Sequence, residues 1–316
     1  MAVALTNWGE RHNPVDKVKG WLWVFTRAVL IIGICFIVLY PILLKLSIAF
    51  KAKEDVFDSS VVWIPRHITL DNIKISLDLL KYFEAATNTF ILSTGASILQ
   101  LISCALAGYG FARLKFRGRS LFFAIVVFTI VIPPQTIMAP TYLHYRFFDV
   151  FGLYQLFTGQ HGVNLLETFW PFFLSSALAM GMKNGLYIFI FRQFFRALPK
   201  ELEEAAYVDG AGILKTFFRV ILPCTVPAVV TVVLFSFVWQ WNDSYFTNLY
   251  MANSTTLSKM LSILIPSIRS GVTIEMSYIS ILVSTATLLA IAPIIVLYMF
   301  AQRYFVESVE RTGVVG

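Results

Sequence analysis

Residues 204 to 223 read Glu-Ala-Ala-Tyr-Val-Asp-Gly-Ala-Gly-Ile-Leu-Lys-Thr-Phe-Phe-Arg-Val-Ile-Leu-Pro, a polar island between long apolar runs. No nucleophile or metal-ligand pattern accompanies the carboxylates of Glu204 and Asp209. Their chemistry is therefore charge and hydrogen-bond acceptance, which suits docking on another protein. A second group, Trp239, Trp241, Asn242 and Tyr245, mixes flat apolar rings with an amide. That mixture fits a ligand pathway or an aromatic belt at a membrane interface. Asn88, Ser93 and Gln100 could line the same cavity or serve as helix–helix hydrogen bonds. Lys183 lies between Gly181 and Gly185 inside an apolar run. It is either a cargo-binding or gating cation, or a structural lysine satisfied at a kink or subunit interface.

Other chemistries find no support. A phosphate-cradling loop needs a glycine before its Lys-Thr pair, and Leu214 precedes Lys215-Thr216. His12, His67, His144 and His161 are scattered. Cys35, Cys104 and Cys224 fit no metal spacing and are expected to be small buried hydrophobes. The chain is thus expected to bind no cofactor or metal and to catalyse no reaction of its own.

The elements that must position these residues are apolar helices. Hydrophobic residues make up 58% and charged residues 14%, below the quarter or so usual for soluble domains. Six stretches could each cross a ~30 Å hydrocarbon core, near 22–46, 85–112, 120–142, 168–192, 222–246 and 276–302. Pro133-Pro134 and Pro293 are expected to kink their spans. Short basic loops set orientation. Arg113, Lys115, Arg117 and Arg119 fall in one such loop, and Arg192, Arg196, Lys200, Lys215 and Arg219 surround the polar island. Both termini and the island are then cytoplasmic, and the net charge of +7 is mostly this bias. No basic patch interleaved with exposed aromatics points to nucleic acid.

Within the island, Pro199 suits a helix start. Lys200 to Tyr207 are good helix formers, with acids near the positive end of the helix dipole. Gly210 and Gly212 are expected to supply positive φ at a reversal. Ile213 to Ile221 can form a second helix.

The island resembles the EAA signature of permease subunits of binding-protein-dependent ABC importers. Glu204, Ala205, Ala206, Asp209, Gly210, Ala211, Leu222 and Pro223 all fall in its register. The resemblance covers about residues 84–316 and is nearest the maltose-type carbohydrate permeases, second-subunit kind. Asn88-Thr89, Arg192-Gln193-Phe194-Phe195, Leu198-Pro199-Lys200-Glu201-Leu202 and Trp241-Asn242-Asp243 follow that group. The tail from Glu307 to Gly316 departs from it. The resemblance implies an all-α, six-span integral membrane protein of type I ABC importer architecture. Its segments would be a cytoplasmic N-terminal segment (1–21), a first span with external loop (22–84), a transmembrane domain (85–303) containing a cytoplasmic coupling loop (193–221), and a cytoplasmic tail (304–316). It implies a heterodimer with a second permease, two ATPase subunits that use ATP and Mg, an extracellular solute-binding protein and a sugar cargo. Glu204, Ala205, Ala206, Asp209, Gly210, Ala211 and Gly212 would couple to the ATPase, Glu204 facing a basic group and Gly210 making the turn. Asn88, Gln100, Lys183, Trp239, Trp241, Asn242 and Tyr245 are pathway candidates. A non-sugar solute is the alternative. A secondary transporter would normally carry midplane carboxylates, which these runs lack.

The orientation is checked by labelling single cysteines with a membrane-impermeant reagent. Positions 58 and 160 should react from outside the cell and position 204 only after permeabilisation; labelling of 204 from outside overturns the topology.

Overall fold

The computed structural model describes residues 14–58, 60–271 and 276–313. Most of the expected 1–21 segment and the end of the 304–316 tail lie outside these residues. The regular elements among them are helices, as expected. In chain order they are α1 (Pro14–Ala49), α2 (Lys53–Phe57), α3 (Asp71–Leu79), α4 (Tyr82–Arg113), α5 (Arg119–Val131), a 3-10 turn (Pro134–Ile137), α6 (Met138–Arg146), α7 (Leu153–Thr158) and α8 (Trp170–Ala177). Then follow α9 (Asn184–Ala197), α10 (Glu201–Val208), α11 (Ile213–Thr216), a π-turn (Phe217–Ile221), α12 (Leu222–Cys224), α13 (Val226–Trp241), α14 (Tyr245–Tyr250), α15 (Leu257–Gly271) and α16 (Met276–Gly313).

The bundle is organised around α4, which packs against α8, α9 and α13. Its buried residues include Ala85, Thr89, Ser93, Ala96, Ser97, Gln100, Cys104, Ala105 and Gly108. These recur every three to four positions, one face of a helix. Nearly all are small or able to hydrogen-bond, the composition that holds helices together in lipid, where Leu gains little by leaving the acyl chains. Gly108 marks the tightest crossing. A Cβ there would lie 2.6 Å from Phe191 Cβ and 3.1 Å from the Arg192 backbone nitrogen.

The six expected spans are not all single helices. Three helical stretches are each long and apolar enough to cross a membrane: Lys19–Ala49, Tyr82–Arg113 and Tyr278–Gln302. Two bent pairs raise this to at most five among the described residues: α5 with the 3-10 turn and α6, bent by 104°, and α11–α12 with α13, bent by 83°. The first bend falls at Pro133-Pro134, as expected; Pro293 lies inside α16. Residues 168–192 are not one helix. α8 stops at Ala177, α9 starts at Asn184, and Ala179 and Lys183 take left-handed φ values of 56° and 60°.

A helix broken in an apolar environment frees backbone groups that must be satisfied. Here α4 supplies partners. The Gln100 side-chain amide donates to the Met182 carbonyl at 3.0 Å, and the Ser103 hydroxyl donates to the Ser176 carbonyl at 2.6 Å. In the amide orientation that suits its surroundings, Asn184 accepts from the backbone N–H groups of Gly181 and Met180 at 3.1 and 3.2 Å.

At the far end, residues 50–72 form a folded strap. Lys51 Nζ donates to the Val61 and Val62 carbonyls at 2.6 and 2.9 Å. Asp55 accepts from the His67 backbone N–H at 2.7 Å and meets His67 Nδ1 at 2.9 Å. The His67 backbone hydrogen bond, above all, holds the Asp55 carboxyl below its ordinary range. Cys104 is buried as expected, whereas Cys35 and Cys224 lie on the outer surface; their apolar runs face outward there rather than into a core.

Gly108→Ala should lower the unfolding midpoint of the purified protein in detergent, by roughly 1–3 kcal/mol of overpacking. Gly110→Ala meets no atom closer than Leu114 Cδ1 at 4.0 Å and should stay within about 0.5 kcal/mol of the parent. Equal behaviour of the two variants would refute the close crossing.

Candidate functional site

Two features of this bundle can act on other molecules: an exposed hairpin at one end of α4 and a cavity near its middle. The hairpin begins with α10. Its end is closed by a Schellman motif, in which the Ala211 N–H donates to the Ala206 carbonyl and the Gly210 N–H to the Tyr207 carbonyl, at 2.9 and 3.0 Å. The motif needs a left-handed residue after the cap, and Gly210 has φ of 74°. Gly212 does not share this role. Its φ of −76° and ψ of 168° are open to any residue, so the expected positive φ there is corrected.

Glu204, Ala205, Asp209, Gly210 and Gly212 are exposed, Ala211 is half-buried and Ala206 is buried. The tip is more apolar than its signature suggests. Val208 and Leu214 are 87% and 66% exposed and stand beside the two carboxylates. The sequence reading missed both, although they sit within the motif at positions with no intramolecular packing duty.

The hairpin is tied firmly to the bundle. Glu203, next to the signature glutamate, points inward and pairs with Arg113 at the end of α4, Nε to Oε1 3.4 Å, with both side chains buried. Arg113 Nη2 also donates to the Leu198 carbonyl at 2.6 Å. Above this pair lies an aromatic cluster. Phe217, from the π-turn, packs between Tyr109 and Phe195 with ring centroids 5.0 and 6.0 Å away, and Phe195 stacks on Phe191 at 5.7 Å. All four rings are buried. Neither Arg113 nor Glu203 was anticipated as a site residue. The available signal was a cation and an acid at the ends of elements joined only through the fold.

The cavity has a volume of about 390 Å³ and opens beside the α8–α9 break. Thr129, Tyr145, Ser175, Lys183, Asn184, Gln240 and Tyr250 give it polar groups; Ile137, Phe172, Met180 and Phe246 give it apolar wall. Lys183 lines it from the start of α9, with its ammonium 4.8 Å from the centroid of the Trp239 ring. Its placement follows from the break: it does not sit nine residues deep in a continuous helix but immediately before α9. Gly185 lets α5 approach, since a Cβ there would meet Thr129 Oγ1 at 2.5 Å.

The other pathway candidates separate. Gln100 stands behind the cavity wall and holds Met182. Trp239 is 48% exposed and stacks under Lys183. Trp241 is buried, and its indole N–H donates to the Ala290 carbonyl at 3.1 Å, so it ties α13 to α16 and does not line the cavity. Asn88 donates to the Thr255 carbonyl at 2.8 Å, a tie to the segment before α15. Asn242 bonds back to the Val238 carbonyl at 2.8 Å, and Tyr245 reaches Met138 Sδ at 2.9 Å. Gln240, not anticipated, is 5% exposed, lines the cavity and has no hydrogen-bond partner for its Nε2.

An apolar helical bundle with an exposed hairpin and a cavity beside a broken helix is the architecture of a multi-pass membrane subunit. Residues 102–311 match the family described as binding-protein-dependent transport system inner membrane component, and the chain belongs to it. It is 29% identical to the melibiose/raffinose/stachyose import permease protein MelC of Bacillus subtilis (strain 168), over 87% of this chain and 91% of that protein. It is 28% identical to the osmoprotective compounds uptake permease protein GgtD of Synechocystis sp. (strain ATCC 27184 / PCC 6803 / Kazusa), over 98% of both. A solved bacterial ABC transporter involved in the import of the acidic polysaccharide alginate includes a chain of the same fold. That chain matches with a TM-score of 0.70 and 21% identity, covering 95% of this chain and 100% of its own length. The expected family, an ABC importer permease, is thereby shown.

The Arg113–Glu203 pair gives a double-variant test. Arg113→Met or Glu203→Leu alone strands a buried charge and should cost roughly 3–5 kcal/mol. The double variant should recover most of that loss in thermal unfolding of the purified protein. Additive losses would show that the two side chains act independently.

Proposed function

We propose that this permease forms half of the translocation pathway of an ATP-driven carbohydrate importer. In this reading six membrane-crossing segments, the broken α8–α9 segment completing the set, put both termini and the 193–221 hairpin on the cytoplasmic side of the cell membrane. A second permease completes the pore. Two ATPase subunits bind ATP and Mg, and an external binding protein delivers the cargo. Carbohydrate is favoured by the cavity's mixture of hydroxyls, amides and aromatic faces and by the sugar named for MelC.

The observation that carries the coupling mechanism is the hairpin's construction. Its outer face offers Glu204, Asp209, Val208 and Leu214 to a partner, and its inner face is locked to α4 and α9 by Phe217 and the Arg113–Glu203 pair. A push on the hairpin moves α9 as a body, because close-packed aromatic cores transmit displacement. α9 begins at Asn184, in the cavity wall. ATPase closure would thus reach the cavity through one helix and alternate its access between the two sides.

Glu204→Ala removes a charged acceptor, worth roughly 1.5–3 kcal/mol when well placed, and should weaken ATPase recovery or the cargo dependence of hydrolysis. Gly210→Val forces a β-branched residue into the left-handed region and should impair coupling at least as much. Both are read in proteoliposomes by ATPase recovery, hydrolysis and sugar uptake together. Normal values for both variants would remove the hairpin as the coupling element.

A further inference from the structure

We propose that the saccharide conducted here carries an anionic group and that Lys183 recognises it; this rests on the carbohydrate reading above. Lys183 is the one side chain of Lys, Arg, Asp or Glu among the described residues that line the cavity. No described carboxylate lies within ion-pairing distance of it. Asp243, the acid nearest along the chain from Trp239, is committed elsewhere. It accepts from the backbone N–H groups of Phe246 and Thr247 and from the Thr247 hydroxyl at 3.2, 2.9 and 3.0 Å, capping α14.

Three positive or donor groups border this cavity without an anion beside them. The first is the ammonium of Lys183. The second is the N-terminal end of α9, a helix of 14 residues that starts at Asn184 and carries partial positive charge at that end. The third is the amide of Gln240, nineteen-twentieths buried with Nε2 unpartnered. Lys183 is exposed before cargo arrives, and water then solvates its ammonium. A neutral sugar would displace that water without supplying a counter-charge, which is costly at membrane depth. A carboxylate or sulfate on the cargo neutralises Lys183, and the sugar's ring oxygens and hydroxyls meet Gln240. Phe172 and Phe246 in the cavity wall accept the apolar face of the ring.

The test uses the intact importer complex in nanodiscs. Equilibrium binding is measured for radiolabelled uronic-acid and sulfated disaccharides, each paired with the neutral disaccharide of the same configuration. In the accepted configuration the anionic member should bind at least roughly tenfold more tightly, the effect of one charge-assisted hydrogen bond, and added salt should shrink the ratio. Lys183→Met should bring the ratio near one with assembly unchanged. Lys183→Arg should retain most of it, and Gln240→Leu should weaken both members alike. The carboxylate and sulfate arms identify the anion. A parent ratio near one, or a ratio that Lys183→Met does not move, overturns the inference while neutral binding leaves the carbohydrate reading standing. Loss of the second permease from both Lys183 variants would overturn it too, assigning the ammonium to a subunit contact. Binding of no saccharide at all would sink both readings.

Discussion

A broken helix in hydrocarbon must find partners for the backbone groups it frees, and this constraint shapes the centre of the molecule. The interruption between α8 and α9 survives because α4 offers Gln100 and Ser103 at the right height to bond Met182 and Ser176. Replace Gln100 with leucine and the Met182 carbonyl would face an apolar wall at a cost of several kcal/mol; without Ser103 the Ser176 carbonyl would keep the Ala179 N–H, at 3.2 Å. From the break follow the left-handed Lys183, the start of α9 at the buried Asn184 and the wall of the cavity. The polar residues of α4 are therefore structural and functional at once: they touch no cargo space themselves, yet they hold open the segment that does.

The second organising fact is that one rigid element touches both candidate sites. α9 spans about 20 Å at 1.5 Å per residue, from the cavity at Asn184 to the aromatic cluster at Phe191 and Phe195. Gly108 brings α4 into backbone contact with it, so the pair moves together. The π-turn is what feeds the hairpin into this unit. By widening the helix at Phe217–Ile221 it turns Phe217 inward between Tyr109 and Phe195. Such π-segments often accompany functional sites.

Much of this was legible in the sequence, and the reasons for the rest are physical. The apolar runs announced membrane helices because nothing else satisfies a backbone in lipid. The reversal at Gly210 was readable because only one residue type takes that φ cheaply. Gly212 was over-read by the same logic, since a glycine permits positive φ without adopting it. The break at 178–183 was hidden because hydropathy cannot distinguish a continuous apolar helix from an interrupted one whose carbonyls are met by another segment. Lys183 was rightly conspicuous, yet its neighbour Trp239 comes from a distant part of the chain. Trp241 and Trp239 looked equivalent as an aromatic pair. Two positions apart on a helix they point about 200° apart, and so one meets α16 while the other meets the Lys183 ammonium.

Ring packing divides the molecule into a hard part and a soft part. Around Phe217 the rings are buried and Arg113 faces Glu203 at 3.4 Å, although Arg113 Nε, Glu203 Oε1 and the Tyr109 and Thr216 hydroxyls make no hydrogen bond. Around the cavity the Gln240 amide is unpaired and Lys183 has only a ring to lean on, with glycines at 181 and 185 on either side of it. Native structures rarely leave buried donors unpaired unless another state or ligand satisfies them. The coupling proposed for the hairpin needs this division. Force must be applied where packing is stiff enough to transmit it, and access must change where local rearrangement costs little. In the proposed mechanism the ring cluster carries the displacement, and the glycine-flanked Lys183 at the cavity is where the rearrangement falls.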